Sequence, residues 1–327
     1  MAPRACVSER TGRGIMGGVP TPGRSRWQKE CPSARSREAE ACGSPLAKSI
    51  TITRVSLNPA CHTNNFRAMP EHLIQLVVQY DGTDFSGWQV QPETRTVQGV
   101  LEEVLGRLTG KPVRVTGAGR TDAGVHAGGQ CAGVTVEPHW TPERLRRAVN
   151  QKLPGDIWIA ASHEMDPSFH ARFSALSRRY RYVVGLHDDS WSPFRRRFLH
   201  PWPGNRPLDR DALAWCAAAT LGEHAFRGFA VRGTAPADDN HHCDVRECRW
   251  TDVGDTLAFE IEANRFLHHM VRFLVGTMLD VASGRRSRGD FAALLTATEN
   301  DEVSAPAPAS GLSLERVTYP DHLYIRA

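Results

Sequence analysis

The chain has no stretch approaching eighteen uninterrupted apolar residues, so no membrane span is encoded. It lacks paired cysteine spacing: its eight cysteines are scattered, and Cys6, Cys31, Cys42 and Cys61 fall in an atypical N-terminal stretch, which excludes a disulfide framework. No apolar secretory core stands near the start. Glu9, Glu30, Glu38 and Glu40 argue against an organelle-import leader, leaving the reducing cytoplasm as the expected compartment. Strong net charge is missing as well. The formal +4 divides into 11 Lys+Arg against 4 Glu over residues 1–68, leaving 29 basic against 32 acidic residues in the rest. Nucleic-acid binding therefore cannot rest on net charge and requires arginine clusters facing one cleft. Four candidates are Arg144/Arg146/Arg147, Arg178/Arg179/Arg181, Arg195/Arg196/Arg197 and Arg285/Arg286/Arg288.

What is present is an ordinary globular composition, 40% hydrophobic and 23% charged over 327 residues, enough for one large or two ordinary domains. Residues 1–69 are rich in Gly, Pro, Ser, Arg and Ala without periodicity and are expected to be a disordered extension. Met69 stands just before the first convincing element and is a candidate start of translation. Leu73–Val78 then reads as a buried strand ending in the turn-like Asp81-Gly82. Val97, Val100, Leu101, Val104, Leu105 and Leu108 keep helical spacing behind a capping Thr96. Strands are expected at 113–117, 130–136, 157–159, 179–186 and 256–263, the last two alternating in polarity. Thr141 and Pro142 open a short helix. A further helix is expected at 211–221, another at 266–282 ending at Gly284, and one more from Ser287 with Asp290; Leu312 begins a final strand. This order predicts an α+β protein of two similar halves, each an antiparallel sheet flanked by helices, rather than a doubly wound parallel sheet. The halves are expected at 70–172 and 173–327.

The densest segment is Thr116 to Ala127, TGAGRTDAGVHA. Its glycines allow tight turning and close backbone approach. A dinucleotide fingerprint would need a glycine where Asp122 stands, and no Gly-Lys-Ser/Thr follows for a phosphate loop. What remains is a carboxylate in a Gly-rich turn with Arg120 two residues away to balance its charge. By itself, such an Asp is more often a turn residue making local hydrogen bonds.

The run Gly119-Arg120-Thr121-Asp122 through Ala127 resembles the active-site signature of the TruA family of pseudouridine synthases. The resemblance extends, in the family's order, to Tyr80-Asp81-Gly82 with Gly87-Trp88-Gln89, Leu153–Ile157, Phe169–Phe173, Arg178–Tyr182 and Ala263–Arg272, covering about 73–320. It implies a pseudouridine-synthase fold with a central basic cleft, isomerisation of uridine in the anticodon arm of tRNA at positions thirty-eight to forty, no metal and no cofactor, and a homodimer. It makes Asp122 the catalytic carboxylate, paired with Arg120. Tyr180 would stack on the uracil with its hydroxyl available for proton transfer, Arg172 would contact phosphate, and Leu312 would pack against the base. Attack of the Asp122 carboxylate on the sugar or on the ring, or abstraction of a ribose proton, are all compatible. The sequence departs from the family pattern at Ala225, where Asp is usual, and at Phe273, where Asn is common.

Weaker signals compete. His241, His242, Cys243 and Cys248 have zinc-ligand chemistry, but their spacing is loose and no second cysteine pair follows, so a strand-edge cluster is expected. His268 and His269 open an apolar helix, where they could touch RNA phosphate or cap packing, and the structural role is the one expected. The rival functional readings are a synthase acting on another RNA, a catalytically silent RNA-binding protein and, more distantly, a dinucleotide-dependent oxidoreductase. If residues 1–68 are dispensable, a chain beginning at Met69 will fold cooperatively and retain full turnover. Loss of the folded circular-dichroism spectrum on truncation would contradict this, while weakened RNA affinity alone would make the basic segment an RNA-binding arm.

Overall fold

The computed structural model describes residues 72–203, 207–234 and 242–325. The expectations for residues 1–69 lie outside these. In chain order the larger elements are β1 (His72–Tyr80), α1 (Val97–Thr109), β2 (Thr116–Gly117), β3 (His126–Val136), α2 (Pro142–Asn150), β4 (Ile157–Glu164) and β5 (Ser177–Gly185). They continue with β6 (His200–Pro201), α3 (Arg210–Thr220), β7 (Gly222–His224), β8 (Cys243–Val253), β9 (Thr256–Ala263), α4 (Met270–Ala282), α5 (Arg288–Thr296) and β10 (Leu312–Thr318).

Local chemistry accounts for the helices. The Thr96 hydroxyl accepts from Gly99 N–H to open α1, and Gly110, at φ 74°, closes it in the left-handed region that glycine adopts without strain. Ser287 and Asp290 cap α5 reciprocally. The helix expected from 266 begins only at Met270, because His269 turns the backbone to φ 62°. The strand expected at 113–117 shortens to β2, whereas β3 extends back to His126.

The expected pair of half-sheets is joined into one. The strand order is β4-β1-β3-β10-β5-β9-β8-β7, with β2 on β3 and β6 on β5. The last strand of the chain enters the middle: β10 runs parallel to β3 through Ser313↔His126 and Leu314↔Ala127, and antiparallel to β5. One strand thus satisfies the edges that β3 and β5 would otherwise expose. Sequence reasoning missed β8 because a bulge between Val245 and Glu247 breaks its alternation, although Cys248 and Trp250 pair across from Ile261 and Phe259.

One face of the sheet carries Ile74, Leu76 and Val78 on β1, Tyr180, Tyr182 and Val184 on β5, and Leu257, Phe259 and Ile261 on β9, all buried. Two helical groups belong to the same hydrophobic core: α1 touches α2, and α3, α4 and α5 touch one another. No helix of the described residues is long and apolar enough to cross a membrane.

The seam between β3 and β10 leaves no room for side-chain growth. A Cβ on Gly129 would lie 2.3 Å from the Glu315 carbonyl oxygen. Gly129→Ala should therefore lower unfolding stability by about 1–3 kcal/mol, the usual cost of overpacking. A wild-type midpoint in denaturant unfolding would show that the seam is looser than it stands here.

Candidate functional site: a carboxylate between the two halves of the sheet

Asp122 lies on the turn between β2 and β3, and the backbone around it is tied down on every side. Its own carbonyl accepts from Val125 N–H, and the preceding Thr121 carbonyl accepts from Trp88 N–H at 3.1 Å. Tyr80 and Thr121 share a hydrogen bond between their hydroxyls at 2.7 Å, buried. Gln130 donates to the Gly119 carbonyl at 3.0 Å and Arg178 to the Ala118 carbonyl at 2.9 Å. Gly87, at φ 92°, is required because a Cβ there would come 2.7 Å from the Thr121 oxygen. The segment around 80–89 therefore acts as a cradle for the turn bearing Asp122.

Arg178 does more than reach the turn. Its guanidinium also donates to the carbonyls of Asn264 at 2.8 Å, Arg172 at 2.6 Å and Ala175 at 3.2 Å. Five N–H donors in a fixed fork suit this task, in which a single half-buried cation gathers carbonyls from several segments. Burial lowers the Arg178 pKa from its usual value.

The partners of the carboxylate come from the other half of the chain. Arg272, in the first turn of α4, places Nη1 3.3 Å from Asp122 Oδ2, while its Nε donates to the Ala307 carbonyl at 2.8 Å. His269 Nε2 is 3.3 Å from the same oxygen, and His268 Nε2 is 3.6 Å from Oδ1. Burial lowers the His269 pKa, against the pull of Asp122, which raises it. The Asp122 and Arg272 side chains are only 18% and 14% exposed, so water and salt screen this pair less than they screen a surface ion pair.

These contacts correct two expectations. Arg120 is exposed and pairs with no carboxylate among the described residues; the cation on Asp122 is Arg272. The start of α4 instead presents Arg272, with His268 and His269 just before it, to the carboxylate. His268 and His269, expected to be structural, face the carboxylate. The signal was a basic His-His-x-x-Arg cluster opening an otherwise apolar helix.

The remaining expected residues are placed as follows. Tyr180 is buried, 8% exposed, with its ring edge-on to Phe266 at 5.1 Å between centroids. Burial first, then the nearby Tyr80 and Asp122, raise its pKa well above the ordinary tyrosine value. Leu314 is the residue across from Tyr180, and Leu312 is one pair further along, across from Tyr182. Arg172 is exposed, its guanidinium 5.6 Å from the Phe173 ring centre. Phe273 packs 6.0 Å from the His269 ring, and Ala225 is half-buried beside Phe226, itself at φ 50°.

The arginine clusters are less available than their number implied. Arg179 pairs with Glu247 and Glu262, Arg195 with Asp189 and Asp255, and Arg197 with Asp81 and Asp84. Arg285 pairs with Asp280, and Arg288 approaches Asp209 at 4.0 Å. Arg146, Arg147 and Arg196 keep guanidinia without a carboxylate partner among the described residues. Of the zinc candidates, Cys243 and Cys248 are buried thiols pushed up to about 12, and His242 pairs with Glu223 at 3.2 Å; His241 lies outside the described residues. Thiols that resist ionisation make poor zinc ligands.

A family model described as tRNA pseudouridine synthase matches residues 76–174 and 216–320. The chain belongs to the tRNA pseudouridine synthase family. Among its relatives, "tRNA pseudouridine synthase A" of Latilactobacillus sakei is 38% identical over 75% of this chain and 98% of that protein. The proteins of the same name from Halalkalibacterium halodurans and Chloroflexus aurantiacus are each 40% identical, over 73% and 76% of this chain and 89% and 90% of their own lengths. Family membership agrees with the mixed sheet flanked by helices, and both matched segments contribute to the carboxylate site, Asp122 from the first and Arg272 from the second.

A second buried histidine near the site sets a pH dependence. His126 Nδ1 accepts from Gly82 N–H at 3.1 Å and Nε2 donates to the Arg197 carbonyl at 2.8 Å. Burial lowers its pKa, as it does that of His200. The unfolded chain binds protons these two refuse in the folded state, so unfolding free energy should rise with pH and be lost as pH falls below about 6.5. Urea unfolding between pH 5 and 7 checks the sign, and His126→Gln should flatten the slope. Stability that increases on acidification across this window would contradict the neutral assignment.

Proposed function

We propose that this protein isomerises uridine to pseudouridine in the anticodon arm of tRNA, at positions thirty-eight, thirty-nine and forty, with the Asp122 carboxylate as nucleophile. The observation that carries this reading is a carboxylate fixed at the centre of the sheet by Arg272, His268 and His269, in a member of the tRNA pseudouridine synthase family.

The chemistry needs no external reactant. The bond from ribose C1′ to uracil N1 breaks, the ring turns while held, C5 joins C1′, and the proton lost from C5 is balanced by one gained at N1. The target nucleotide must leave its stack to reach the carboxylate, at a cost of a few kcal/mol. Exposed Arg120, with no carboxylate partner among the described residues, is suited to take the vacated space or the phosphate beside it, and Arg172 to touch phosphate further out. Tyr180, kept neutral by burial, offers a ring face to the uracil and a hydroxyl that can relay the C5 proton. Leu312 completes the apolar side of the base pocket from β10. The division of labour between residues 70–172, carrying Asp122, and 173–327, carrying Arg272, makes the reactive centre a property of both halves.

In our reading the protein works in the cytoplasm as a homodimer that shares one tRNA. Exposed Trp158, Trp191, Phe194 and Phe198, with a cleft of about 510 Å³ between Trp158, Phe198, Asp81 and Arg181, support a second copy seating on that surface. Light scattering at assay concentration should give twice the chain mass; an active monomer would exclude the dimer.

Asp122→Asn keeps the shape of the side chain and removes its nucleophilicity. Mapping pseudouridine at nucleotide resolution on unmodified tRNA should show no product with this variant and tRNA affinity within a few-fold of the parent. Near-normal turnover by the Asn form would remove Asp122 from the chemistry, and product at other positions would reassign the substrate.

A further inference from the structure

Asp122, His268 and His269 do more than form ion pairs. One ligand atom from each, a carboxylate oxygen and two imidazole nitrogens, lies within 4.8 Å of the others, and no other such group of three exists among the described residues. A zinc ion bound at about 2.0–2.2 Å by tetrahedral ligands needs those ligands roughly 3.3–3.5 Å apart. His269 Nε2 stands 3.3 Å from Oδ2 and His268 Nε2 3.6 Å from Oδ1, so each imidazole is near that edge length from one carboxylate oxygen, and a small turn of the carboxylate brings a single oxygen toward both.

We propose that this triad is an inhibitory site for a borderline transition cation such as Zn²⁺, held by both Nε2 atoms and the Asp122 carboxylate, with water completing the shell. The chelate is built into the backbone. His268 and His269 are adjacent, and the left-handed turn at His269, φ 62°, brings both rings to the same carboxylate, with ring centres 4.3 Å apart. A β-carbon residue in that region stores strain, which fits a position selected for where its side chain points. His268 is half-exposed, so the ion has an entry path.

Ligand type sets the selectivity. Two imidazoles favour zinc, copper or nickel, whereas magnesium, the usual companion of tRNA, prefers an all-oxygen shell and gains nothing from them. Arg272 sets an upper bound on affinity, because its guanidinium contacts the same carboxylate at 3.3 Å and would be repelled by a dication. The site should therefore be weaker than a structural zinc site and easily stripped by chelator. Its consequence is direct: the metal occupies the lone pairs of Asp122. This is the opposite of a cofactor, since the ion takes what the reaction needs free.

The inhibitory part rests on the proposed isomerase reading; the binding part rests on geometry alone. Full-length protein is titrated with cobalt(II) chloride and followed by visible absorbance, comparing the parent with His268→Ala and with the His268→Ala/His269→Ala double variant, folding being checked by circular dichroism. The parent should take up one equivalent that the double variant lacks, and His268→Ala should weaken that equivalent at least tenfold. In the activity arm, ZnCl₂ should depress pseudouridine formation by the parent at least tenfold and EDTA should restore it, with MgCl₂ inert. Equal cobalt uptake by parent and double variant would overturn the site, as would undiminished activity with the site filled. Activity in EDTA alone reports on the isomerase reading separately, so failure of one is distinguishable from failure of the other.

Discussion

The structure depends on one long-range contact, the pairing of Asp122 with Arg272 across 150 residues of sequence. A carboxylate this enclosed needs a cation at hand, since an isolated buried charge is costly and is normally paired. The chain could have supplied Arg120 locally. It uses α4 instead, and thereby makes the site conditional on the two ends of the fold being assembled. Neither the Gly-rich turn nor the helix is a site alone.

Several features serve that contact. The insertion of β10 between β3 and β5 merges what would be two half-sheets, which fixes the distance between the Asp122 turn and the start of α4. Arg178 stitches the turn, the end of β9 and the segment before β5 through four carbonyls. Tyr80 at the end of β1, Trp88 in the loop after it and Gln130 on β3 hold the turn as well. The consequence is a carboxylate held in place, which in the proposed reaction need not reorganise when charge develops beside it, where electrostatic catalysis gains most.

Legibility in the sequence followed the range of the interactions. Elements decided locally were readable: α1 by its spacing with Thr96 and Gly110, α5 by its capping box, β9 by alternation. β8 was hidden because one extra residue shifts its pattern to the opposite face midway. The single continuous sheet was not readable, because it rests on two register pairs between β3 and a strand almost two hundred residues later, a separation no local pattern reports. The same holds at the site. The turn around Asp122 announced itself by motif, but its cation did not, and proximity in sequence favoured Arg120 where proximity in space selects Arg272.

The proposed chemistry depends on Arg272 acting through Asp122. Arg272→Leu preserves an apolar stem and removes the charge, and its single-turnover rate of pseudouridine formation can be measured alongside tRNA affinity. If the pair is what holds the reactive carboxylate, the chemical step should slow by at least about 10²-fold, the usual scale for losing one preorganised electrostatic contact, with affinity changed only a few-fold. A variant that keeps the parent's single-turnover rate would contradict the claim that this contact organises the site.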